Sequence, residues 1–294
     1  MKVDFKIHNR NHIIKNIFGN TEYLFTNSGL KKNELTVINY HGTQKKYLSN
    51  LKKQLNFFKK EFSIISPNQL DIFYSGHLVN EKPLLLFTFD DGIKNNLYAA
   101  ELLNENNIKA YFFIVPEFID TPLNRQKEYF INHIRPIINP HIDNKEEDFM
   151  ALTWENIQAL ISQGHCIGSH TQTHTLIANK STIENSTIEI IDSKNTIANK
   201  LKLPTSSINE FCSINNTLES IEKKELKLIK DNYNYHFTTI PGPNFSNSSP
   251  YFIKRANIES HWLLGAVKYA IGKWDLKRWK NAERAYLNLL KEFF

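Results

Sequence analysis

Apolar and polar residues alternate in blocks along this chain, and the blocks have the lengths of strands and helices. Residues 83–89, Pro-Leu-Leu-Leu-Phe-Thr-Phe, form an apolar run that suits a strand covered on both faces, as in parallel sheets. Asp90 and Asp91 fall where that strand ends. Leu97, Ala100 and Leu103 then recur at helical spacing, and Lys109 to Val115 reads as a second apolar strand. Together they make a strand, helix, strand unit of about the 30 residues such a unit needs.

The same alternation continues on both sides. Leu35 to Tyr40 reads as a strand and Tyr47 to Lys60 as a helix. Thr153 is placed to cap a helix that runs through Gln163, turns Trp154, Ile157, Leu160 and Ile161 inward, and stops at Gly164. A strand is expected at His165 to Gly168, just before His170. Ser181 with Glu184 forms a capping-box pattern ahead of a helix that carries Ile190, Ile197 and Leu201 to Leu203, where Pro204 ends it. Phe211 to Ile214, Tyr235 to Thr239 and Tyr251 to Arg255 read as short strands, with a helix from Leu218 to Lys230. Strands that alternate with helices throughout predict an α/β architecture with a parallel sheet closed into a barrel.

Domain organisation follows from the same pattern: an N-terminal extension over 1–33, a barrel over 34–260, and a helical tail over 261–294 packed on it. The stretch from Pro116 to Met150 has no clear period, and its length predicts a surface excursion near the functional face. The tail carries Trp262, Trp274, Trp279 and several lysines. It reads as a packed helix with a solvated basic edge, with peripheral membrane contact as the alternative.

Composition narrows the classes. A hydrophobic fraction of 41% and an aromatic fraction of 12% belong to an ordinary globular protein. No run approaches the roughly 18 apolar residues of a membrane span, and Met1 to Asn20 has no apolar signal core, so a cytoplasmic location is expected. Two cysteines, Cys166 and Cys212, are too few for a disulfide framework and read as small buried residues. The net charge of +6 has no Arg-rich block or nucleic-acid motif behind it, so no nucleic-acid partner is expected.

Two clusters carry the candidate chemistry. Thr88-Phe89-Asp90-Asp91-Gly92 puts two carboxylates at a strand end, where α/β folds build their sites. Alone it also fits a phosphoryl-transfer pocket or a turn and helix cap. Ser169-His170-Thr171-Gln172-Thr173-His174 spaces two imidazoles four residues apart, on one face if the turn is helical. Two imidazoles and a carboxylate make a catalytic type of ligand set that leaves a coordination position open. Both clusters follow strand-like segments, so a barrel would open them onto one end.

Taken together they resemble the polysaccharide deacetylases, also called carbohydrate esterase family 4 or the NodB homology family. The family's first motif, Thr-Phe-Asp-Asp-Gly, is matched by Thr88 to Gly92, and its second, His-Ser/Thr-x-x-His, by His170, Thr171 and His174. Leu152 to Glu155, Gly164 to His170, and Glu189 to Lys194 ahead of Pro204 agree with it as well, and the resemblance spans roughly residues 34–258. It implies a variant (β/α) barrel, metal ligands Asp91, His170 and His174, and Asp90 as general base. The implied cofactor is a divalent ion, zinc first, with nickel, cobalt or another as alternatives. The implied substrate is an N-acetylated sugar in a glycan or glycan precursor. The rivals are a metal-containing glycan-binding protein without turnover, and a deformylase or O-deacetylase on a related sugar.

Departures from the family pattern are equally specific. Its third motif, which supplies a backbone N–H to the oxyanion, is replaced by Phe211-Cys212-Ser213-Ile214-Asn215-Asn216, leaving the Ser213 N–H as the candidate donor. The usual late Leu-x-His segment is missing, and the neighbours of His261 do not match it. His41, in Ile38-Asn39-Tyr40-His41-Gly42, is similar to a Tyr-His pair that opens members of one subgroup, and is read either as a pocket residue and proton donor or as a structural histidine. Arg255 resembles an arginine on that subgroup's late strand, and is read either as holding Asp90 ionised or as an ordinary surface residue. His165 is read as a structural neighbour of the second motif.

Overall fold

A computed structural model describes residues 16–17, 19–20, 32–135, 146–177, 182–214, 221–272 and 276–291. Among these residues eight strands form one sheet: β1 (Leu35–Tyr40), β2 (Ser63–Ile64), β3 (Leu84–Phe89), β4 (Ala110–Ile114), β5 (Cys166–Ser169), β6 (Glu210–Cys212), β7 (Tyr235–Phe237) and β8 (Arg255–Asn257). They run in the order β7-β6-β5-β4-β3-β1-β8, all parallel, with β2 alongside β3. A parallel bridge between Phe237 and Ile253 brings the segment leading into β8 beside β7. The sheet therefore nearly closes on itself, a variant (β/α) barrel with helices outside.

Side chains alternate along each strand, and the alternation sorts the core into two layers. Ile38, Tyr40, Leu85, Phe87, Phe89 and Phe112 join helix residues such as Leu51, Leu55 and Phe58 in the outer layer. Val37, Leu84, Leu86, Tyr111, Phe113, Cys212, Phe237 and Ile253 form a second cluster from alternate positions of the strands, which is the barrel interior. Leu70 and Phe73, on the short helix Leu70–Tyr74, join that cluster and seal one end. The same parity carries upward. Leu84, Leu86, Thr88 and Asp90 form one series on β3 and its end, so the inward row turns from apolar to polar as it reaches the opposite end.

Most expected elements appear within a residue or two, including the helices Leu48–Glu61, Asn96–Glu105 and Trp154–Ser162. Thr153 caps the last of these, its hydroxyl accepting the Asn156 N–H at 3.2 Å. The expected strand over Tyr251 to Arg255 is displaced: only Arg255 lies in β8, because Pro250 to Lys254 is pulled across to β7 instead. The expected helix over 181–203 is capped by Thr182 and is interrupted by a π-helical turn at Ile188–Asp192 before it resumes as Ser193–Leu201. Ser181 lies outside the described residues, as do Asn215, Asn216, Leu218 and nearly all of the 1–33 extension. The patternless stretch contains the helices Pro116–Asp120 and Leu123–Tyr129 and a π-turn Phe130–Ile134.

Both cysteines are free thiols, Cys212 buried and Cys166 partly so. Among the described residues no helix is long and apolar enough to cross a membrane. The tail forms the helices Leu264–Ile271 and Leu276–Lys291, and buried Tyr286 fixes the second of them. Its ring stacks on Phe252 at 4.6 Å, and its hydroxyl donates to the Tyr251 carbonyl at 2.9 Å. That hydroxyl accepts from His236 Nδ1 at 2.7 Å, and burial pushes His236 down to about 3, so the imidazole sits neutral. Tyr286→Phe should cost about 1–3 kcal/mol by stranding the buried His236 donor. Tyr286→Ala should cost about 3–5 kcal/mol through the cavity it leaves, read from urea unfolding midpoints.

Candidate active site

Asp90 continues the β3 ladder, its N–H bound to the Tyr40 carbonyl at 2.9 Å, and its side chain is buried. Asp91 and Gly92 follow with φ of 73° and 69°, both in the left-handed region. A side chain at Gly92 would press on Ile114, 3.3 Å from its Cβ position. This turn parts the two carboxylates: Asp90 keeps the inward parity, and Asp91 reaches toward the histidine loop.

Arg255 meets Asp90 from β8, two strands away across β1. Its Nη1 donates to Asp90 Oδ1 at 2.8 Å and its Nη2 to Oδ2 at 2.9 Å, a bidentate pair with the arginine fully buried. Asn39 Nδ2 adds a bond to Oδ2 at 2.9 Å. Burial would raise the Asp90 pKa, but the Arg255 charge, His170 and the Arg255 hydrogen bonds outweigh it and hold the carboxyl below its ordinary value.

His170 and His174 turn their Nε2 atoms to Asp91 Oδ1, at 3.5 and 3.3 Å. Each Nδ1 is committed to a backbone carbonyl: His170 to Cys212 O at 2.9 Å, and His174 to His133 O at 2.7 Å. A carbonyl only accepts, so in the neutral rings both Nδ1 atoms carry the proton and both Nε2 lone pairs face Asp91. Asp91 Oδ2 is buried and accepts no hydrogen bond among the described residues. Two inward imidazole lone pairs and an orphaned carboxylate oxygen fit a divalent ion, and the donor atoms of Asp91, His170 and His174 lie within 4.8 Å of one another. Burial would raise Asp91, but bonds to His170 and His174 hold it well below the usual carboxylate range. Burial opposes charge on His170, yet Cys212, Asp90 and Asp91 raise it well above the ordinary imidazole value, so without an ion its Nε2 carries a proton toward Asp91, and a bound ion would take that proton's place.

The histidine spacing does not work through a helical turn, the condition under which both imidazoles would share one face. Residues 170–177 form no helix, and Thr171 and His174 have φ of 67° and 64°. The loop is held by Glu189, whose Oε2 accepts the N–H groups of Gln172 and Thr173, each at 3.0 Å. Glu189 Oε1 takes the Thr173 hydroxyl at 2.7 Å. Glu189 sits in the π-turn, the kind of helix defect that often accompanies a functional site. From the other side Tyr129 donates its hydroxyl to Thr173 O at 2.9 Å.

The chain that bears this arrangement matches the sequence profile of the polysaccharide deacetylases over residues 78–224. It belongs to the polysaccharide deacetylase family. The deacetylase fold extends beyond that match. A Streptococcus pyogenes deacetylase, PplD, solved in complex with acetate, is 15% identical with a TM-score of 0.61, covering 82% of this chain and 99% of its own. IcaB from Ammonifex degensii is 17% identical with a TM-score of 0.59, covering 83% and 99%. A de-N-acetylase from Aggregatibacter actinomycetemcomitans, also 17% identical, has a TM-score of 0.59 and covers 81% and 99%. No curated protein matches the chain.

Where this chain departs from the family pattern, the geometry is informative. The Ser213 N–H, the expected oxyanion donor, is already bound to the Phe237 carbonyl at 3.2 Å, because β6 continues its ladder with β7 through that residue. That N–H is therefore not free, and the expectation is corrected. His261 lies tilted against Tyr47, with ring centroids 5.6 Å apart and planes at 48°. His165 accepts the Ala110 N–H at 3.2 Å, and burial pushes it down to about 4, a structural role. His41 stands at the site's rim with Nδ1 3.7 Å from Glu259 Oε1. Arg135, from the patternless stretch, joins the same rim: Nε is 3.6 Å from Asp91 Oδ2, and Nη2 is 3.6 Å from Glu259 Oε1.

Arg135, Glu259, Asn39 and the strap role of Glu189 escaped the sequence reading. Asn39 left a signal there, two residues before His41 on a strand of period two, and Glu189 left one in opening the family-like stretch to Lys194. Glu189→Ala should weaken divalent-ion affinity about 10–100-fold, since groups that orient ligands commonly carry that much. Equilibrium dialysis with elemental analysis measures it, and unchanged affinity would remove the strap from the account of the site.

Proposed function

We propose that this protein is a metal-dependent hydrolase that removes an N-acetyl group from an amino sugar in a glycan or glycan precursor. One observation carries the reading: a carboxylate clamped by a buried arginine lies beside two imidazole lone pairs and a second carboxylate, all at one end of the barrel. Asp91, His170 and His174 would hold the ion, with zinc the first expectation. When bound, a divalent ion supplies Lewis acidity to the acyl carbonyl and to the attacking water.

The chain's own groups account for the remaining chemistry. Asp90 is the general base. Among the described residues its Oδ2 accepts at 2.9 Å from both Arg255 and Asn39, whereas Oδ1 accepts at 2.8 Å from Arg255 alone, with the Cys212 thiol 3.9 Å from either oxygen, and keeps a lone pair for the water's proton. Arg255 keeps that carboxylate ionised and fixes its plane. His41 delivers a proton to the departing amine. Burial and the Arg135 charge hold His41 below the ordinary imidazole value, against Asp91, Glu259 and Asp90, so its protonated form is scarce at rest and acidic when present.

Asp90→Asn should lower acetate release from an N-acetylated amino-sugar oligomer by roughly 10²–10⁴-fold while metal content stays normal, the loss typical of a removed acid or base. Unaltered turnover in that variant would end the assignment. A wild-type protein that takes up metal and binds the sugar but releases no acyl group would instead be a glycan-binding protein. Formate released in preference to acetate would move the substrate to an N-formyl sugar. His41→Asn should reduce kcat on the order of 10²-fold with metal content unchanged. Wild-type kcat in His41→Asn would return it to a structural role.

A further inference from the structure

Two donor sets share His170. Beside Asp91, His170 and His174 there is a second one, Asp90, His170 and Cys212, whose donor atoms also lie within 4.8 Å of one another. By ligand type alone the second is attractive to a soft divalent ion, because a thiolate is the strongest donor in either set. The surroundings of Arg255 argue against that use.

A guanidinium has five N–H donors, and each one left without an acceptor in a buried site carries a desolvation cost. Arg255 is wholly buried. Its Nε donates to the Thr238 carbonyl at 2.8 Å. Nη1 donates to Asp90 Oδ1 at 2.8 Å and to Thr88 Oγ1 at 3.2 Å. Nη2 donates to Asp90 Oδ2 at 2.9 Å and to Cys212 Sγ at 2.8 Å. Five donors meet five acceptors, and the last is the cysteine sulfur.

We propose that Cys212 is the fifth acceptor of Arg255, a positioning residue that locks the guanidinium against Asp90 and stays out of the metal's coordination shell. The thiol hydrogen has the Ser213 carbonyl 3.5 Å from Sγ, nearer than either Asp90 oxygen at 3.9 Å. A cation entering the second set would stand beside the guanidinium and compete with it for both Asp90 and Cys212. Arg255 thereby directs an ion to the Asp91 set. Strand parity supports the pairing: Cys212 is the inward residue at the end of β6, and Arg255 opens β8. The catalytic part of this assignment rests on Asp90 being the base; the ligand part does not.

The test pairs a spectrum with kinetics. The cobalt-substituted full-length protein should show no thiolate-to-cobalt charge-transfer absorption, and Cys212→Ser should leave its near-ultraviolet spectrum unchanged. A band present in wild type and lost in Cys212→Ser would make Cys212 a ligand and overturn the proposal. In acetate release, Cys212→Ser, which retains an acceptor, should keep kcat within about 3-fold of wild type. Cys212→Val, of similar size without an acceptor, should lose about 10-fold in kcat with KM and metal content unchanged. Equal kcat in the two variants, whether both high or both low, overturns the acceptor role, and Cys212→Ala replaces valine if that variant does not fold. Should wild type release no acetate, the functional reading fails separately. Urea midpoints then decide, with the serine variant expected above the valine variant and the reverse order overturning the hydrogen bond.

Discussion

The buried pair of Arg255 and Asp90 is the constraint around which this barrel is organised. Removing two charges from water costs several kcal/mol per ion, and their attraction repays it only where every remaining donor and acceptor is met. Here the requirement is satisfied by residues from several strands: Asn39 on β1, Thr88 on β3, Cys212 on β6, Thr238 just past β7 and Arg255 on β8. Pulling any of those strands out of register would turn its polar residue away and leave a charge unpaired. Apolar packing alone would tolerate many barrels; this polar layer accepts one registration.

The histidine loop obeys a looser logic. It has no ladder of its own, so its shape is imposed from outside by a single carboxylate on a helix and by the segment before residue 135. The π-turn that carries Glu189 shows how: widening the helix by one residue there redirects a side chain that would otherwise follow the regular helical rows. The proposed ligand set is thus assembled from a rigid strand end, which places Asp91, and a loop whose conformation depends on distant neighbours.

Legibility followed the same division. The strand and helix periods exposed the barrel, because a parallel sheet needs apolar runs on both faces and those runs stand out between polar helices. The Asp-Asp-Gly turn and the two histidines were visible because their side-chain chemistry is unusual at strand ends. Arg255 was readable as a candidate, yet nothing in its immediate sequence decided between a surface residue and a buried one; that depends on β8 reaching β1, a contact across more than two hundred residues. Arg135 and Glu259 were invisible for a related reason: each takes its meaning only from what stands opposite. The shape of the His170 loop stayed open because a spacing of four suits both a helix and an irregular turn, and the Glu189 contacts distinguish them.

Asp91, Thr171 and His174 all sit in a backbone region that side-chain-bearing residues seldom enter. Each such residue costs of order 1–3 kcal/mol and persists only when its surroundings over-determine it. The cost falls on folding, before any ion arrives, so an ion meets a cradle already bent to shape and need not do the bending. The same feature sets a limit on improving this protein. Glycines at these positions would relieve the backbone and make a sturdier molecule, and at two of the three they would also delete the side chain for which the backbone was bent.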